Sequence, residues 1–407
     1  DRPVREAAEQ STDTPQVSGC GGHDVHRRIG IVDPIDRYLV DAQAAALRDH
    51  EQLSVEEPAG IGDVWQEAAR DIGADGLEPA LCVGEAGRQS GLENQVVAAR
   101  DELPLRAADD ARRALLEGLV DYAGLFPPAA LGMEDAVARY DEYGRSEHRW
   151  ALGKFVLPVA RLEEFARAAR AVAGGVASWR LALVAGADFG ADIRAIELFA
   201  RNTAPHAGVG AIEVRASTID QVNAIAANVG LLRARIPDAF DLYVEVPVAG
   251  DPTALVRAIA SHGLRAKVRT GLVAAAAFPD ARSLAEFIVL CAAHGVTFKA
   301  TAGLHHALRG TYPFTYDPAS ERGTMFGFLN VFVAALFASD GLAVDGVREL
   351  LEERDPARIT FDRTGVTWHG RTVPADAIRT ARVRTATSFG SCSFTEPLSD
   401  LSTLGLL

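Results

Sequence analysis

Lysine is nearly missing from this chain. Of its 41 basic residues, 38 are arginine and three are lysine: Lys154, Lys267 and Lys299. A composition that uses arginine wherever a solvated charge suffices leaves lysine where an amine is needed, because an amine can lose its proton and attack a carbonyl whereas a guanidinium stays charged. Cysteine is scarce as well. Cys20, Cys82, Cys291 and Cys392 are too few and too scattered for a disulfide framework, which accords with a reducing compartment. No run reaches the roughly 18 apolar residues that a membrane span needs. The most apolar stretch, residues 325–338, is interrupted by Asn330 and reads as a buried helix. No apolar signal region follows a basic start, so the expectation is a cytoplasmic protein with no membrane partner.

The net charge of −14 is unevenly spread. Residues 1–110 hold 23 Asp and Glu against 10 Arg, a balance of −13, and residues 111–407 hold 32 against 31, a balance of −1. An acidic flank repels phosphates, which argues against nucleic acid as a partner. Residues 1–106 mix Gly, Asp, Pro and Ala without a sustained period, apart from a helix expected around residues 35–47, and are expected to form a poorly ordered acidic leader. Without lysine or an initiator Met, that leader equally fits an upstream extension foreign to the native protein. Cys20, His23 and His26 within it lack a fourth ligand and are read as incidental rather than as a metal site.

From about residue 107 short apolar segments alternate with helical ones. Strands are expected at 121–125, 154–158, 179–184, 211–215, 242–246, 266–270 and 297–301. Asp251 and Pro252 read as the N-cap and first position of a helix ending near Gly263, and Ser283 with Glu286 reads as the capping box of one ending near Gly295. Strand–helix alternation implies a parallel sheet, and about eight such units match a closed (β/α)8 barrel of the TIM type over residues 107–407, with a doubly wound open sheet as the alternative. The eighth strand is placed at residues 388–394, after a small inserted β-hairpin around Arg363-Thr364-Gly365. A repeat supports this reading. His262-Gly263, Lys267 and Gly271 recur at the same offsets as His294-Gly295, Lys299 and Gly303, so the two lysines are expected at equivalent places on neighbouring strands.

Side chains alternate faces along a strand, and the apolar set belongs toward the helices. Removing that set leaves Glu213 and Arg215, Tyr243 and Glu245, Lys267 and Arg269, and Lys299 and Thr301 pointing into the barrel. Charges enclosed in a barrel must be paired or bound to a ligand. Two negatives against four positives leave +2, which argues for a small anionic ligand, a carboxylate or a phosphate. Loops at the strand ends add Gly303, His305 and His306, with Arg309 beyond, and Ser391 and Ser393 near the last strand. One histidine is expected in the site and the other in a structural role. Cys392 reads as a small packed residue rather than a nucleophile, Cys291 as core, and Asp121 with Tyr122 as a structural turn. Lys154 opens its strand and is placed toward the opposite, noncatalytic rim.

Three motifs, Tyr122-Ala-Gly-Leu-Phe-Pro-Pro-Ala129, Phe298-Lys-Ala-Thr-Ala-Gly-Leu-His-His306 and Ser388-Phe-Gly-Ser-Cys-Ser-Phe-x-Glu-Pro397, together resemble a bacterial α/β-barrel family without a characterised activity. That resemblance covers about residues 115 to 407. More weakly, Phe298-Lys-Ala-Thr-Ala-Gly303 and Ala266-Lys-Val-Arg-Thr-Gly271 are similar to the lysine-bearing strands of deoxyribose-phosphate aldolase, a class I aldolase. This resemblance implies a Schiff-base lysine at Lys267 and a second lysine at Lys299. Arg269 stands where that pattern has a small hydroxyl residue, whereas Lys299-Ala-Thr301 fits it, so the two roles are interchangeable.

The leading expectation is an aldolase-like lyase needing no cofactor. One lysine attacks a carbonyl while its neighbour's charge keeps it deprotonated, Glu245 or Glu213 shuttles protons, and Arg269 with the Gly303 loop holds the anion. The alternative is a divalent-metal lyase or isomerase with Glu213, Glu245 and His305 or His306 as ligands and Lys299 as base. A noncatalytic ligand-binding barrel is the third reading, and a homo-oligomer is compatible with all three.

Overall fold

Short apolar strands alternating with helices pair in chain order when each helix carries the chain back along the outside. The computed structural model describes residues 111–407 apart from 173–177, 204–205 and 237–239. The leader, the helix around 35–47 and the Cys20, His23 and His26 group lie outside the described residues. Helix α1 (Ala111–Leu116) precedes β1 (Val120–Tyr122); then come α2 (Met133–Arg145), β2 (Leu152–Pro158), α3 (Leu162–Ala171), β3 (Trp179–Val184), α4 (Phe189–Thr203), β4 (Ala207–Arg215), α5 (Ile219–Arg233), β5 (Asp241–Glu245), α6 (Thr253–Ser261), β6 (Arg265–Arg269), α7 (Ala281–Ala293) and β7 (Phe298–Thr301). The connection after β7 is long. It holds the hairpin β8 (Gly310–Pro313) and β9 (Arg322–Met325), helices α8 (Phe328–Ser339) and α9 (Val344–Glu352), the strands β10 (Ile359–Phe361), β11 (Gly365–Trp368) and β12 (Arg371–Pro374), and α10 (Ala375–Arg384). Strand β13 (Ala386–Ser391) then pairs in parallel with both β7 and β1, and α11 (Thr395–Thr403) follows.

That closure makes the fold a (β/α)8 barrel of eight parallel strands and rules out the open sheet. No helix among the described residues is long and apolar enough to cross a membrane. The apolar alternation does what it predicts: Ile212, Val214, Val244, Ala266, Val268, Phe298 and Ala300 are buried in the layer between strands and helices. A separate cluster of Val156, Ala182, Ala211 and Tyr243 fills the inside of the barrel on the β2 to β5 side. The other half of the interior is charged.

The repeat is a geometric one. His262 and His294 end α6 and α7 in the same conformation, Gly263 and Gly295 follow at φ 60° and 63°, and the next amides, of Leu264 and Val296, reach back to Ile259 and Cys291. This is the Schellman arrangement, in which glycine takes the left-handed conformation without a Cβ penalty. Its effect is to bring Lys267 and Lys299 opposite one another in register.

Three local expectations are corrected. The cap of α7 is Asp280, whose carboxylate accepts the Ser283 amide at 2.9 Å, so Ser283 and Glu286 form no capping box; the helix starts earlier because Ala281 and Arg282 continue it without strain. Helix α6 starts at Thr253, with Pro252 at the cap and Asp251 accepting the Thr253 amide. The inserted hairpin has a third strand, because His369 and Gly370, both at positive φ, form the two-residue turn that joins β11 to β12. The β8–β9 hairpin was not expected from the sequence.

Candidate active site

Alternation along β4 to β7 turns Glu213, Tyr243, Lys267 and Lys299 inward, and β1 adds Asp121. Their charged ends alternate in sign. Lys299 Nζ donates to Asp121 Oδ2 at 2.7 Å and to Glu213 Oε1 at 2.5 Å. Lys267 Nζ lies 2.7 Å from Glu213 Oε2 and 2.8 Å from Glu245 Oε2. Glu245 Oε1 takes Arg269 at 3.1 Å and Arg215 at 3.3 Å. The chain of charges thus runs Asp121, Lys299, Glu213, Lys267, Glu245, and ends on two arginines.

The two lysines differ in how tightly they are held. The Lys299 side chain is 1% exposed with both carboxylates accepting from it, and Asp121 is itself fixed by Ser388 Oγ and by the Lys154 amide, each at 2.7 Å. Lys267 is 7% exposed, and Glu245 Oε2 beside it has no aligned hydrogen-bond donor among the described residues despite the short ion-pair distance. Burial works against a charged Lys299, yet Asp121 and Glu213 outweigh it and raise its affinity for a proton. The expectation that one lysine's charge keeps the other deprotonated therefore does not describe Lys299, whose ammonium is held by two carboxylates. Burial likewise disfavours the carboxylates, and the cations win: Lys299 and Lys154 hold Asp121 well below the usual range, Lys267 and Lys299 lower Glu213, and Lys267, Arg269 and Arg215 lower Glu245 to about 2.

Residues left aside at the sequence level enter the site. Asp121 is a member of the charge lattice rather than a turn residue. Lys154 reaches into the barrel close to Gly210, and although Asp121 favours its charge, burial with Lys299 and Arg180 pushes its pKa down. It stands near the start of β2, so the expected end of the barrel was right and the expected rim position was wrong. Adding both Asp121 and Lys154 gives three negatives against Lys154, Lys267, Lys299, Arg215 and Arg269, so the inferred excess of +2 stands. What excess there is sits at the mouth. Arg215 is 62% exposed and Arg269 33%, at the C-terminal ends of β4 and β6, so Arg215 does not lie inside the barrel as expected.

The other predicted residues divide. Tyr243 lines the interior beneath Lys299, with its hydroxyl turned toward Thr387 and Arg265. Thr301 ends β7 with its carbonyl accepting the Thr270 amide; Ala302 and Gly303 follow at φ 61° and 71°, and Thr270 Oγ donates to the Ala302 carbonyl at 2.6 Å. His305 turns toward Cys392 and Glu396, whereas His306 stacks on Tyr312 and meets Asp400 at 3.2 Å. Ser391 Oγ accepts the Ser393 amide and Ser393 Oγ accepts the Glu396 amide, so both serve the start of α11. Neither histidine joins Glu213 and Glu245, whose oxygens face lysines and arginines, and no group of three or more His, Cys, Asp and Glu suited to a metal is found among the described residues.

Comparison with known proteins leaves the argument to this geometry: no family model, no curated protein and no solved structure matches the chain.

Proposed function

We propose that the barrel is a lyase of the aldolase type, acting on a small carbonyl compound that carries a carboxylate or phosphate, with Lys267 as the amine that becomes covalent. The observation that carries this reading is the unequal hold on two adjacent buried lysines, each between two carboxylates: Lys299 is 1% exposed and hydrogen-bonded to both, whereas Lys267 is 7% exposed and shares Glu245 with the two mouth arginines. Lysine in this chain is otherwise almost abandoned. An ion-pair layer kept for stability alone would be served as well by branched apolar side chains.

The roles follow from position. Arg215 and Arg269 receive the anionic group at the mouth, which draws Glu245 away from full engagement with them. Lys267 must shed a proton before attack, and Glu245 Oε2 at 2.8 Å is the acceptor in place. The amine adds to the carbonyl carbon, and water leaves to give an iminium ion. As a base takes the β-hydroxyl proton, the bond between the α and β carbons breaks and its electron pair moves into the iminium, which gives an enamine and releases the first product as a carbonyl compound. Protonation of the enamine carbon and hydrolysis of the resulting iminium release the second product and free Lys267. Lys299 stays charged throughout, fixing Glu213 so that it opposes Lys267 with one oxygen only. The metal-dependent reading keeps Glu213 and Glu245 as ligands and requires the lysines to leave them.

Borohydride reduction of the full-length protein with a panel of small aldehydes and ketones bearing carboxylate or phosphate groups tests the proposal. Peptide mass mapping should place a reduced adduct on Lys267, and Lys267→Arg should abolish it. A substrate that is turned over without any lysine adduct, or turnover lost on chelation and restored by a divalent ion, overturns it.

A further inference from the structure

The loops above β7 and β13 hold a second reactive group that the lysine lattice does not use. Cys392 directly follows β13, and its Sγ lies 3.7 Å from His305 Nδ1 on the loop after β7. The same ring nitrogen is 3.4 Å from Glu396 Oε2 in the first turn of α11. Tyr316, in the turn of the β8–β9 hairpin, donates to Glu396 Oε2 at 2.8 Å and lies 3.4 Å from Cys392 Sγ. On β1, the buried Tyr122 hydroxyl has no hydrogen-bond partner among the described residues. A thiol packed only for volume needs no such company. Cys291 shows the contrast: it is enclosed by apolar residues on α7, where burial pushes its thiol pKa up.

We infer that Cys392 is a second nucleophile at the barrel mouth, which adds reversibly to an aldehyde with His305 taking its proton and Glu396 accepting from the protonated ring. The choice of an aldehyde rests on the carbonyl substrate proposed above; the nucleophile itself does not. In the step, a bond forms between Sγ and the carbonyl carbon as the carbonyl π bond breaks. The thiol proton passes to His305 Nδ1 and from there to the carbonyl oxygen, which gives a hemithioacetal with no oxidant and no leaving group. Burial disfavours a charged His305, but Cys392 and Glu396 outweigh it and raise the ring to about 9, so His305 takes the thiol proton in the fraction of molecules whose ring is neutral, a fraction that grows as pH rises toward 9. Cys392 is 5% exposed beneath a Tyr316 that is 52% exposed, so the phenol swings aside to admit the aldehyde.

Alkylation of the full-length protein by iodoacetamide, followed by peptide mass mapping, is the test. Cys392 is expected to react faster than in the urea-unfolded chain at the same pH, either in the native protein or once Tyr316→Ala uncovers the sulfur. His305→Gln should slow that reaction by roughly tenfold or more. Glyoxylate, a small anionic aldehyde, should protect Cys392, and should still do so in the Lys267→Arg chain that cannot be trapped by borohydride. The inference falls if Cys392 lags the unfolded chain in both the native and Tyr316→Ala proteins, or if His305→Gln leaves its rate unchanged. Alkylation without glyoxylate protection removes the aldehyde as its ligand, and none of these results depends on whether Lys267 forms an adduct.

Discussion

Lys299 is the side chain whose removal the structure penalises most. It neutralises Asp121 and Glu213 in a place that water does not reach, so Lys299→Met leaves two carboxylates buried against each other. Breaking one partner out of a buried ionic group costs about 3–5 kcal/mol. We expect urea denaturation of Lys299→Met to show a loss of that size, largely recovered when Asp121→Asn and Glu213→Gln are added. A loss below about 1 kcal/mol would mean that the lattice is solvated and its charges weakly coupled. Lys299→Arg tests shape rather than charge, since a planar guanidinium cannot take the two carboxylates along the ammonium's directions. Ligand binding retained by a folded Lys299→Arg chain would favour the noncatalytic barrel, and the lyase would not retain turnover.

At the scale of elements, β6 and β7 are placed by paired devices at both ends. Gly263 and Gly295 stop the preceding helices, and Gly271 and Gly303 let the strand ends meet beneath the Phe278 ring. A Cβ on Gly303 would lie 2.9 Å from the Gly271 Cα and 2.8 Å from Phe278 Cε1, and its φ of 71° is itself unfavourable for alanine. A Cβ on Gly263, at φ 60°, would meet nothing within 4 Å. Gly263→Ala is therefore expected to cost about 1 kcal/mol, from left-handed backbone strain alone, and Gly303→Ala more, with lost turnover because the mouth must widen. Equal midpoints for the two variants in chemical denaturation would show that the strand ends are not packed as described.

For the whole molecule, the lattice and the loop cluster set opposite limits on pH. Glu245 titrates at about 2 when folded against an ordinary value near 4.5, so its contribution is complete above 4.5 and is lost as pH falls toward 2; Asp121 and Glu213 shift the same way. His305 titrates at about 9 when folded against an ordinary 6.5, so its contribution is complete below 6.5 and is lost as pH rises through 9. Thermal melting followed across pH should give a maximum between 4.5 and 6.5. His305→Gln should flatten the alkaline side, and an unchanged alkaline slope in that variant would separate His305 from Glu396 and Cys392.

The barrel was legible in the residue order because its signals are local: strand alternation, helix stops at His-Gly, and a repeat that carries each lysine to the same offset. Glu213, Glu245, Lys267 and Lys299 could be assigned to the interior for the same reason, since a period of two fixes a face whatever the partner. Their connections could not be read this way. Asp121 is separated from Lys299 by 178 residues and from Ser388 by 267, and only closure of β13 onto β1 brings the three together. A single acidic residue in a short strand carries no mark of that closure, which is why Asp121 read as a turn and its hold on Lys299 was not foreseen. Cys392 and Glu396 at the junction of β13 and α11, His305 after β7 and Tyr316 in the β8–β9 hairpin likewise meet only over the mouth. What a residue is and which face it takes were written along the chain; which charges neutralise one another was decided by closure of the barrel, because Coulomb interactions depend on distance in space and not on order in sequence.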